Sequence, residues 1–297
     1  MIVAPKTKRV CVIGGTGFVG TVLCRQLLEK NYQVTVLSRR HLASSLDNMC
    51  YQVVPSYNVE NLQKIFQQGY DAVIFLSGIL HEQKKESFED VHVSLPAMIV
   101  EACQTVGISR YLHMSALCAR FDAPSAYLRS KGCGEEIVRH TELEYTIFRP
   151  SVIFGEGDSF LTLFAKVLKF LPVVLLAAPD ARFQPVYVED VAQAFVTSLE
   201  RPETIKQTYD LGGNKIYTLK ELVKYVGDII QRPRFIIGLN PTFSYLQAWL
   251  MEFSPIKLMT RDNFYSMQIE NTCGINGLEK LGIHITDLEK IAPNYLK

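Results

Sequence analysis

Apolar runs of four or five residues alternate with longer amphipathic stretches through the first half of the chain. A short apolar run is typical of a buried strand, and apolar residues three or four positions apart are typical of a helix. The predicted strands are 10–13, 34–37, 51–55, 72–76, 111–115 and 145–148, and the predicted helices are 20–31, 59–68, 88–106 and 126–140. This alternation predicts an α/β fold of Rossmann type, in which helices cover both faces of a doubly wound parallel sheet.

Two residues set the limits of the helix predicted over 88–106. Pro96 interrupts it, and because proline lacks an amide donor we expect a kink or a late helix start there. Gly107 follows the last apolar residues of this stretch and is predicted to end the helix.

The pattern changes after residue 150. A loop over 155–158 precedes a helix predicted from about Phe160, and a strand and a helix return over 184–200. Residues 209–211 are expected to add a strand to the main sheet, and the last third of the chain is mostly helical. We therefore expect a larger domain of 1–153 plus 183–213, and a smaller, mostly helical C-terminal lobe of 154–182 plus 214–297 for substrate or docking.

A glycine-rich turn joins the first predicted strand to the first predicted helix, and it consists of Gly14, Gly15, Thr16, Gly17, Phe18, Val19 and Gly20. Glycines at three-residue intervals permit backbone angles closed to other residues and let a pyrophosphate approach the first amides of the helix. This position between strand and helix predicts a dinucleotide site in the larger domain. The alternative is a tight turn in which glycine has only a conformational role.

The second predicted strand ends in Ser38, Arg39 and Arg40. NAD-binding proteins usually place an acidic residue here, on the ribose 2′-hydroxyl, and this chain has none. A guanidinium can instead hold a 2′-phosphate through charged hydrogen bonds. We therefore predict a preference for NADP(H) over NAD(H), with two solvated surface arginines as the alternative.

Tyr127 and Lys131 lie four positions apart in the helix predicted over 126–140. That spacing places both side chains on one face of a helix. The lysine charge is expected to lower the pKa of the phenol, which makes Tyr127 usable as a proton donor or acceptor near neutral pH. Such a pair arises easily by chance, so its weight comes from its position after the predicted fifth strand.

Four motifs together resemble an extended or atypical short-chain dehydrogenase/reductase of the epimerase/dehydratase-like kind. They are the glycine turn, Tyr127-x-x-x-Lys131, Arg149-Pro150-x-x-x-Phe154-Gly155 and the stretch 185–192. The segments 125–131, 253–262 and 277–283 narrow the similarity to the nucleotide-binding accessory subunits of respiratory complex I and their bacterial relatives. The resemblance covers nearly the whole chain.

The superfamily resemblance implies hydride transfer between a nicotinamide and a small substrate. It implies that Tyr127 acts as acid/base, that Lys131 orients the ribose, and that a serine or threonine polarises the substrate oxygen. The alignment places Ala116 in that last slot, and Ser115 one residue before it, so Ser115 is the candidate only if the strand has already ended there.

The dinucleotide site implied by the resemblance takes further residues after the fourth predicted strand. These are Ser77 and Gly78, which join the glycine turn, the residues at 38–40 and Lys131 in the predicted binding set.

The complex I resemblance implies a different function. There the bound dinucleotide is structural, and the protein supports the assembly or stability of a larger complex. Two hypotheses therefore stand: an NADP(H)-dependent oxidoreductase or epimerase/dehydratase-type enzyme, and a non-catalytic accessory protein. We expect a cytoplasmic protein, peripheral at the inner membrane if a respiratory complex or a membrane surface is its partner.

Composition narrows the remaining classes. The formal net charge is only +1 in 297 residues without a dense basic block, which disfavours nucleic-acid binding. The seven cysteines form no C-x-x-C pair, and the six histidines lack metal-ligand spacing, so we expect a reducing compartment and no metal. We expect no signal peptide, and the most apolar run, 170–178, is too short to span a bilayer.

An apolar stripe in the last third has two interpretations. Leu246, Trp249, Leu250 and Phe253 recur at helical spacing. We expect burial in the C-terminal lobe, and the alternative is a docking surface for a protein partner or a membrane.

Overall fold

The computed structural model describes residues 8–39, 49–83, 86–253 and 259–296. The strands in these ranges are β1 (Arg9–Ile13), β2 (Gln33–Ser38), β3 (Cys50–Val53), β4 (Ala72–Phe75), β5 (Arg110–Met114), β6 (Glu144–Pro150), β7 (Ile153–Phe154), β8 (Val173–Leu176), β9 (Arg182–Phe183), β10 (Val186–Tyr187), β11 (Gln207–Leu211), β12 (Tyr217–Thr218) and β13 (Phe235–Gly238). The α-helices there are α1 (Phe18–Glu29), α2 (Val59–Phe66), α3 (Leu95–Val106), α4 (Ala126–Arg139), α5 (Leu161–Phe170), α6 (Val188–Glu200), α7 (Leu219–Ile229), α8 (Pro241–Met251), α9 (Arg261–Ser266), α10 (Gly277–Lys280) and α11 (Leu288–Tyr295).

The chain divides into two compact units, each assembled from three stretches. The first unit takes its residues from 1–115, 130–148 and 191–209. The second takes them from 116–129, 149–190 and 210–297. This division differs from the expected one in giving 116–129, 149–153, 183–190 and 210–213 to the second unit. Helix α4 therefore begins in the second unit and continues in the first.

The main sheet has seven strands in the order β11-β6-β5-β4-β1-β2-β3. β1 pairs in parallel with β2 and β4, and the pairings of β2 with β3, β4 with β5 and β5 with β6 are also parallel. The strand order reverses between β1 and β4, which is where ligands bind in doubly wound sheets. The predicted α/β fold of Rossmann type is confirmed.

The core of the first unit lies against this sheet. Large side chains from α2, α3 and the central strands are fully buried in it, among them Phe66, Ile99, Phe75 and Tyr111. Burying an apolar side chain of this size contributes roughly 1.5–3 kcal/mol to folding. The packing therefore holds the carboxyl ends of β1, β4 and β5 firmly in place.

The helix predicted over 88–106 is built in two parts. A π-helical turn covers Asp90–Ser94, and α3 then starts at Leu95 with Pro96 as its second residue. A proline is tolerated in the first turn of a helix, because an amide there has no intrahelical partner. Gly107 has a φ of +85° and ends α3, as predicted.

The second unit has its own core around α5, α7 and α11. Its fully buried side chains include Leu161, Leu168, Leu222, Val226 and Ala292. Three two-stranded sheets pair β10 with β7, β12 with β9, and β13 with β8. Sequence reasoning did not predict β13, and it left the apolar run 170–178 unassigned.

The expected burial of the stripe on α8 is wrong. The helix forms, but it buries its small residues Ser244 and Ala248 instead. Leu246, Trp249 and Leu250 are exposed, and so is Phe253 just beyond the helix. Within the described ranges, no helix combines the length and apolar character needed to cross a membrane.

Candidate functional site

The glycine turn lies directly against the end of β4. Gly14 has a φ of +87°, and the amide of Gly17 donates to its carbonyl oxygen at 3.1 Å. A Cβ atom on Gly14 would lie 2.8 Å from the backbone nitrogen of Ser77. Only glycine satisfies both the left-handed backbone and this close approach.

The same turn brings α1 close to its own start. A Cβ atom on Gly20 would lie 2.2 Å from the carbonyl oxygen of Gly14, which no side chain could occupy without moving the backbone. A Cβ atom on Gly15 would lie 2.8 Å from a methyl group of Val36 in β2. These two glycines therefore serve the packing of helix, turn and strand.

Gly17 is different, because it faces open space. It caps α1 with an extended backbone and has no side chain to bond the helix amides. Among the described residues, only the Gly14 carbonyl would come within 4 Å of a Cβ placed there, at 3.4 Å. The first turn of α1 also carries no acidic residue. A helix start of this kind accepts an anion readily.

The remaining residues of the predicted turn differ in exposure. Thr16 is exposed, Phe18 is half-buried and Val19 is buried under the first turn of α1.

The end of β2 carries the residues predicted to select the cofactor. Ser38 is half-buried as the last residue of β2, and Arg39 follows it with an exposed guanidinium. That guanidinium forms an ion pair with Glu86. A 2′-phosphate at this position would have to compete with the carboxylate for Arg39. Arg40 lies outside the described residues.

Lys131 lies at the carboxyl ends of β4 and β5. Its Nζ donates to the carbonyl oxygen of Met114, the last residue of β5, at 3.2 Å. The same Nζ would be 3.1 Å from a Cβ on Gly78, so a side chain at Gly78 would displace it. The pKa of Lys131 is lowered to about 8, because burial lowers it by more than the negative charge of nearby Glu135 raises it. The ammonium is therefore close to its titration point near neutral pH.

His92 supports this arrangement, and sequence reasoning missed it. Its Nε2 accepts from the backbone amide of Ile79 at 3.1 Å, which leaves Nδ1 protonated and donating to the Ser130 hydroxyl at 2.8 Å. Burial, Lys131 and His113 lower the pKa of His92 to about 2. The imidazole is therefore neutral, and it connects the stretch after β4 to α4. No signal in the sequence marked His92, because its partners Ile79 and Ser130 are distant in the chain.

Ser115 follows β5 and is buried. Its backbone amide donates to the carbonyl oxygen of Phe148 at 2.7 Å. Its Oγ is buried as well, and it finds no hydrogen-bond partner within the part of the chain that the structure describes. Since β5 ends at Met114, the side chain of Ser115 does not have to follow the alternating side-chain directions of a strand. A buried hydroxyl without a partner is rare and indicates a missing ligand or water.

Tyr127 belongs to the second unit and lies in the first turn of α4. It packs against a small apolar cluster of Ala116, Ala123 and Leu128. Burial raises the pKa of Tyr127 to about 12. The expectation of a lowered pKa is therefore wrong for the protein alone, because desolvation raises the pKa of this phenol. At neutral pH the group is a phenol, ready to donate a proton.

Asp262 fixes the start of α4 from a distant part of the chain. Its carboxylate accepts from the amides of Ala126 and Tyr127, at 2.6 and 3.1 Å. A carboxylate stabilises a helix start both by bonding the free amides and by its charge. No local signal predicts a cap supplied from more than a hundred residues away, although this aspartate lies in a segment that carried the resemblance.

The candidate residues of the first unit thus come together. Gly14 contacts the stretch after β4, Gly78 in that stretch contacts Lys131, and Lys131 contacts the end of β5. The arrangement offers an anion-binding helix start, a buried cation and a buried hydroxyl. Within the described ranges, no three His, Cys, Asp or Glu side chains group in a way that could hold a metal ion.

A family profile described as "NAD dependent epimerase/dehydratase family" matches residues 10–212. The chain belongs to this family. The match spans the glycine turn, α4 and the seven-stranded sheet, so the resemblance stated from the motifs is confirmed. The description of the family agrees with a nicotinamide dinucleotide as the cofactor.

The curated proteins that this chain resembles include respiratory proteins and an enzyme. The mouse protein named NADH dehydrogenase [ubiquinone] 1 alpha subcomplex subunit 9, mitochondrial, is 33% identical and covers 94% of this chain and 77% of its own. The Arabidopsis thaliana protein of the same name is 36% identical, covering 76% and 59%. The ceramide reductase of Caulobacter vibrioides is 27% identical, covering 65% and 61%.

Solved structures show the same family fold. A nucleoside-diphosphate-sugar epimerase from Staphylococcus aureus aligns with a TM-score of 0.77 at 16% identity, covering 95% of this chain and 98% of its own. A UDP-glucose 4-epimerase from Thermotoga maritima, solved with UDP-glucose, aligns at 0.72 and 17% identity, covering 97% of each chain. At these identities the likeness supports the fold and not a shared substrate.

Proposed function

We propose that the protein binds NADP(H) at the glycine turn and catalyses hydride transfer with an unidentified small carbonyl or alcohol. The observation that carries this proposal is the Ser115 hydroxyl, buried without a partner directly after the strand whose last carbonyl holds Lys131. An unpaired buried hydroxyl costs roughly 1–3 kcal/mol. A substrate oxygen that accepts from this hydroxyl would offset that cost.

The residues present fit a nicotinamide dinucleotide, which supplies or accepts the hydride when bound. The open space at Gly17 and the acid-free start of α1 suit the pyrophosphate. Lys131 is the candidate for the ribose hydroxyls. Arg39 is the candidate for a 2′-phosphate, once it exchanges Glu86 for that group.

Each catalytic role follows from the surroundings of one residue. Ser115 would donate a hydrogen bond to the substrate oxygen and so stabilise negative charge that develops there. Tyr127, a phenol with a raised pKa, would donate its proton to that oxygen during reduction and take it back during oxidation. The positive charge on Lys131 would favour the tyrosinate formed in reduction.

A second function is favoured by one specific comparison. The mouse complex I subunit resembles this protein over 94% of the chain, and Ala116 occupies the slot of the polarising residue. In this alternative the protein is a non-catalytic accessory or assembly subunit of a respiratory complex, and the dinucleotide stabilises its fold.

Tyr127→Phe separates the two functions, because it removes the proton but keeps the packed ring. If the protein is an oxidoreductase, NADPH oxidation across a carbonyl panel should fall about 10²–10⁴-fold while NADPH affinity stays unchanged. Tyr145→Phe, at another buried tyrosine, is the matched control and should keep full turnover.

Genetic rescue gives the opposite test. A cell that lacks the wild-type gene and is fully rescued by Tyr127→Phe would assign the protein the accessory function. Loss of rescue, with folding and cofactor occupancy retained, would exclude a purely structural one.

A further inference from the structure

Helix α8 has an inverted distribution of side chains. It buries its two small residues, Ser244 and Ala248, and leaves Phe243, Leu246 and Leu250 exposed. The exposed residues recur at three- and four-residue spacing, so they form one face of the helix. A monomer gains nothing from exposing the large apolar side chains of a helix while burying the small ones.

The strand pair β8 and β13 exposes a second apolar surface. In its parallel register Val173 lies beside Phe235, and Leu175 beside Ile237. All four are exposed, and Phe235 keeps 71% of its accessible surface. The alternate residues of β8 point into the core of the second unit, as Val174 does. The pair is therefore apolar on both faces, which is expected of a sheet that something covers.

The two apolar surfaces adjoin within the second unit. The Gln247 side chain in α8 donates to the carbonyl oxygen of Leu175 at 2.8 Å, and the amide of Ala178 donates to the Ser244 hydroxyl at 3.1 Å. We call the combined surface the apolar face, and define it by Val173, Leu175, Phe235, Ile237, Leu246 and Leu250.

Basic residues outnumber acidic ones around the apolar face. The segments 161–179 and 229–251, which carry it, contain Lys166, Lys169, Arg232 and Arg234 and no aspartate or glutamate. The chain as a whole is nearly neutral, with a formal net charge of +1. Three acidic residues, Asp180, Asp228 and Glu252, directly flank these segments, and Glu252 is ion-paired with Arg261.

Two of these cations, Lys169 and Arg234, each directly precede an exposed phenylalanine. The Arg234 Nε donates to the carbonyl oxygen of Leu168 at 2.9 Å, which places the guanidinium at the end of α5. There Lys169 is followed by Phe170, whose ring is 83% exposed, as Arg234 is followed by Phe235. Phe170 and Phe235 thus each have a cation beside them in the chain.

A shallow pocket of about 190 Å³ extends the cationic rim. Lys220, Lys224 and Arg234 line it, together with one acid, Asp228. Its net lining charge is positive, and Ile236 of β13 forms part of its wall. The pocket therefore offers an anionic headgroup a place next to the apolar face.

We propose that the apolar face docks the protein on an anionic lipid surface. Exposed leucine, phenylalanine and tryptophan with a rim of lysine and arginine is the combination that binds the interface of a bilayer. Each basic residue near an anionic leaflet contributes about 1 kcal/mol, and the apolar side chains enter the boundary of the acyl chains.

The test is flotation of the full chain with vesicles. Vesicles of equal parts phosphatidylcholine and phosphatidylglycerol should capture the protein, and pure phosphatidylcholine vesicles should capture at least about tenfold less. Added salt should release it, because screening weakens the cationic rim. Capture that is equal on both vesicles, or absent from both, would overturn the proposal.

Substitutions locate the docking surface. The double variant Leu246→Glu with Leu250→Glu should lose at least about tenfold in binding, and Lys169→Glu with Arg232→Glu should lose the preference for anionic lipid. Phe121→Glu is the matched control, because Phe121 lies in the same unit and is about as exposed as Phe235. This variant should bind vesicles as the wild type does.

Two further readouts keep the interpretation clear. NADPH affinity and thermal unfolding of these variants should match those of the wild type, so failure of the docking proposal leaves the proposed function untouched. If the protein self-associates through Leu246 and Leu250 and does not bind vesicles, the face belongs to a second copy and the lipid proposal is wrong.

Discussion

Lys131 and Ser115 are polar groups that the fold buries at a cost. An apolar residue of similar size at either position would avoid desolvating an ammonium or leaving a hydroxyl unpaired. Both lie at the carboxyl end of β5, where a doubly wound sheet binds its ligand. Residues that break the rules of stable packing in this way usually serve a site.

The titration of Lys131 yields two pH dependences of opposite sign. Its pKa is about 8 in the folded protein, against an ordinary pKa of 10.5 for an exposed lysine. Between these values the unfolded chain binds more protons, so the contribution of Lys131 to the free energy of unfolding rises with pH. Relative to Lys131→Met, the wild type should gain roughly 2 kcal/mol of stability between about pH 8 and about pH 9.5.

Dinucleotide affinity should change in the other direction over the same pH range. The ammonium that would hold the ribose is lost as pH rises through 8. Isothermal calorimetry should show wild-type affinity falling above this pH, while the weaker affinity of Lys131→Met stays flat. Affinity of the wild type that does not change up to about pH 9.5 would show that Lys131 does not hold the cofactor.

Glu86 forms an ion pair with Arg39, so its carboxylate would compete with a 2′-phosphate for the guanidinium. Substitution of either residue should therefore change the preference between NADPH and NADH. NADPH should bind at least about tenfold more tightly than NADH, and Arg39→Ala should abolish the difference. Glu86→Gln should strengthen NADPH binding and leave NADH unchanged, because it removes a carboxylate that competes for the guanidinium. Equal affinities of the wild type for both cofactors would contradict the predicted preference.

At the residue scale the sequence selected the candidate residues, but it did not predict their electrostatics. Tyr127, Lys131 and the glycine turn could be selected from spacing and position. The raised pKa of Tyr127 could not, because it follows from burial in an apolar cluster whose members Ala116 and Ala123 lie outside α4. His92 and Asp262 were missed for the same reason, since their partners are distant in sequence.

At the scale of elements, sequence reasoning predicted the strands that are buried better than those that are exposed. The strands of the main sheet are covered on both faces, so their apolar runs stand out, and all six predicted ones are present. β13 was missed because its apolar run is only three residues long, from Phe235 to Ile237, and a glycine follows it. The register that pairs it with β8 is a tertiary feature.

The turn between β1 and α1 supplies a matched pair of glycine substitutions. Gly17→Val meets open space in the protein, so the chain should fold normally and lose dinucleotide binding by at least about tenfold. Gly20→Val would force a side chain onto the Gly14 carbonyl, so it should lower thermal stability even without ligand. Fluorescence titration and thermal unfolding of both variants provide the comparison. Normal affinity in Gly17→Val would place the dinucleotide elsewhere.

At the scale of the whole molecule, the two units carry different kinds of evidence. The first unit holds the glycine turn and Lys131, which are the candidates for dinucleotide binding. The second holds Tyr127 and the apolar face, which concern chemistry and docking. An enzyme and an accessory subunit would share the first set, so the family fold alone does not separate them.

Thermal unfolding of the complete protein with NADPH tests what the two functions share and where they part. A ligand at 100 times its dissociation constant stabilises the folded state by about 2.7 kcal/mol, which raises the unfolding temperature of a chain this long by several degrees. Tyr127→Phe should keep this increase and lose turnover, whereas Gly17→Val should lose both. Because ligand-linked stability needs no catalysis, an unchanged increase in Tyr127→Phe together with absent wild-type turnover on every carbonyl offered would favour the accessory function. If NADPH fails to stabilise the wild type at all, the dinucleotide site itself is wrong.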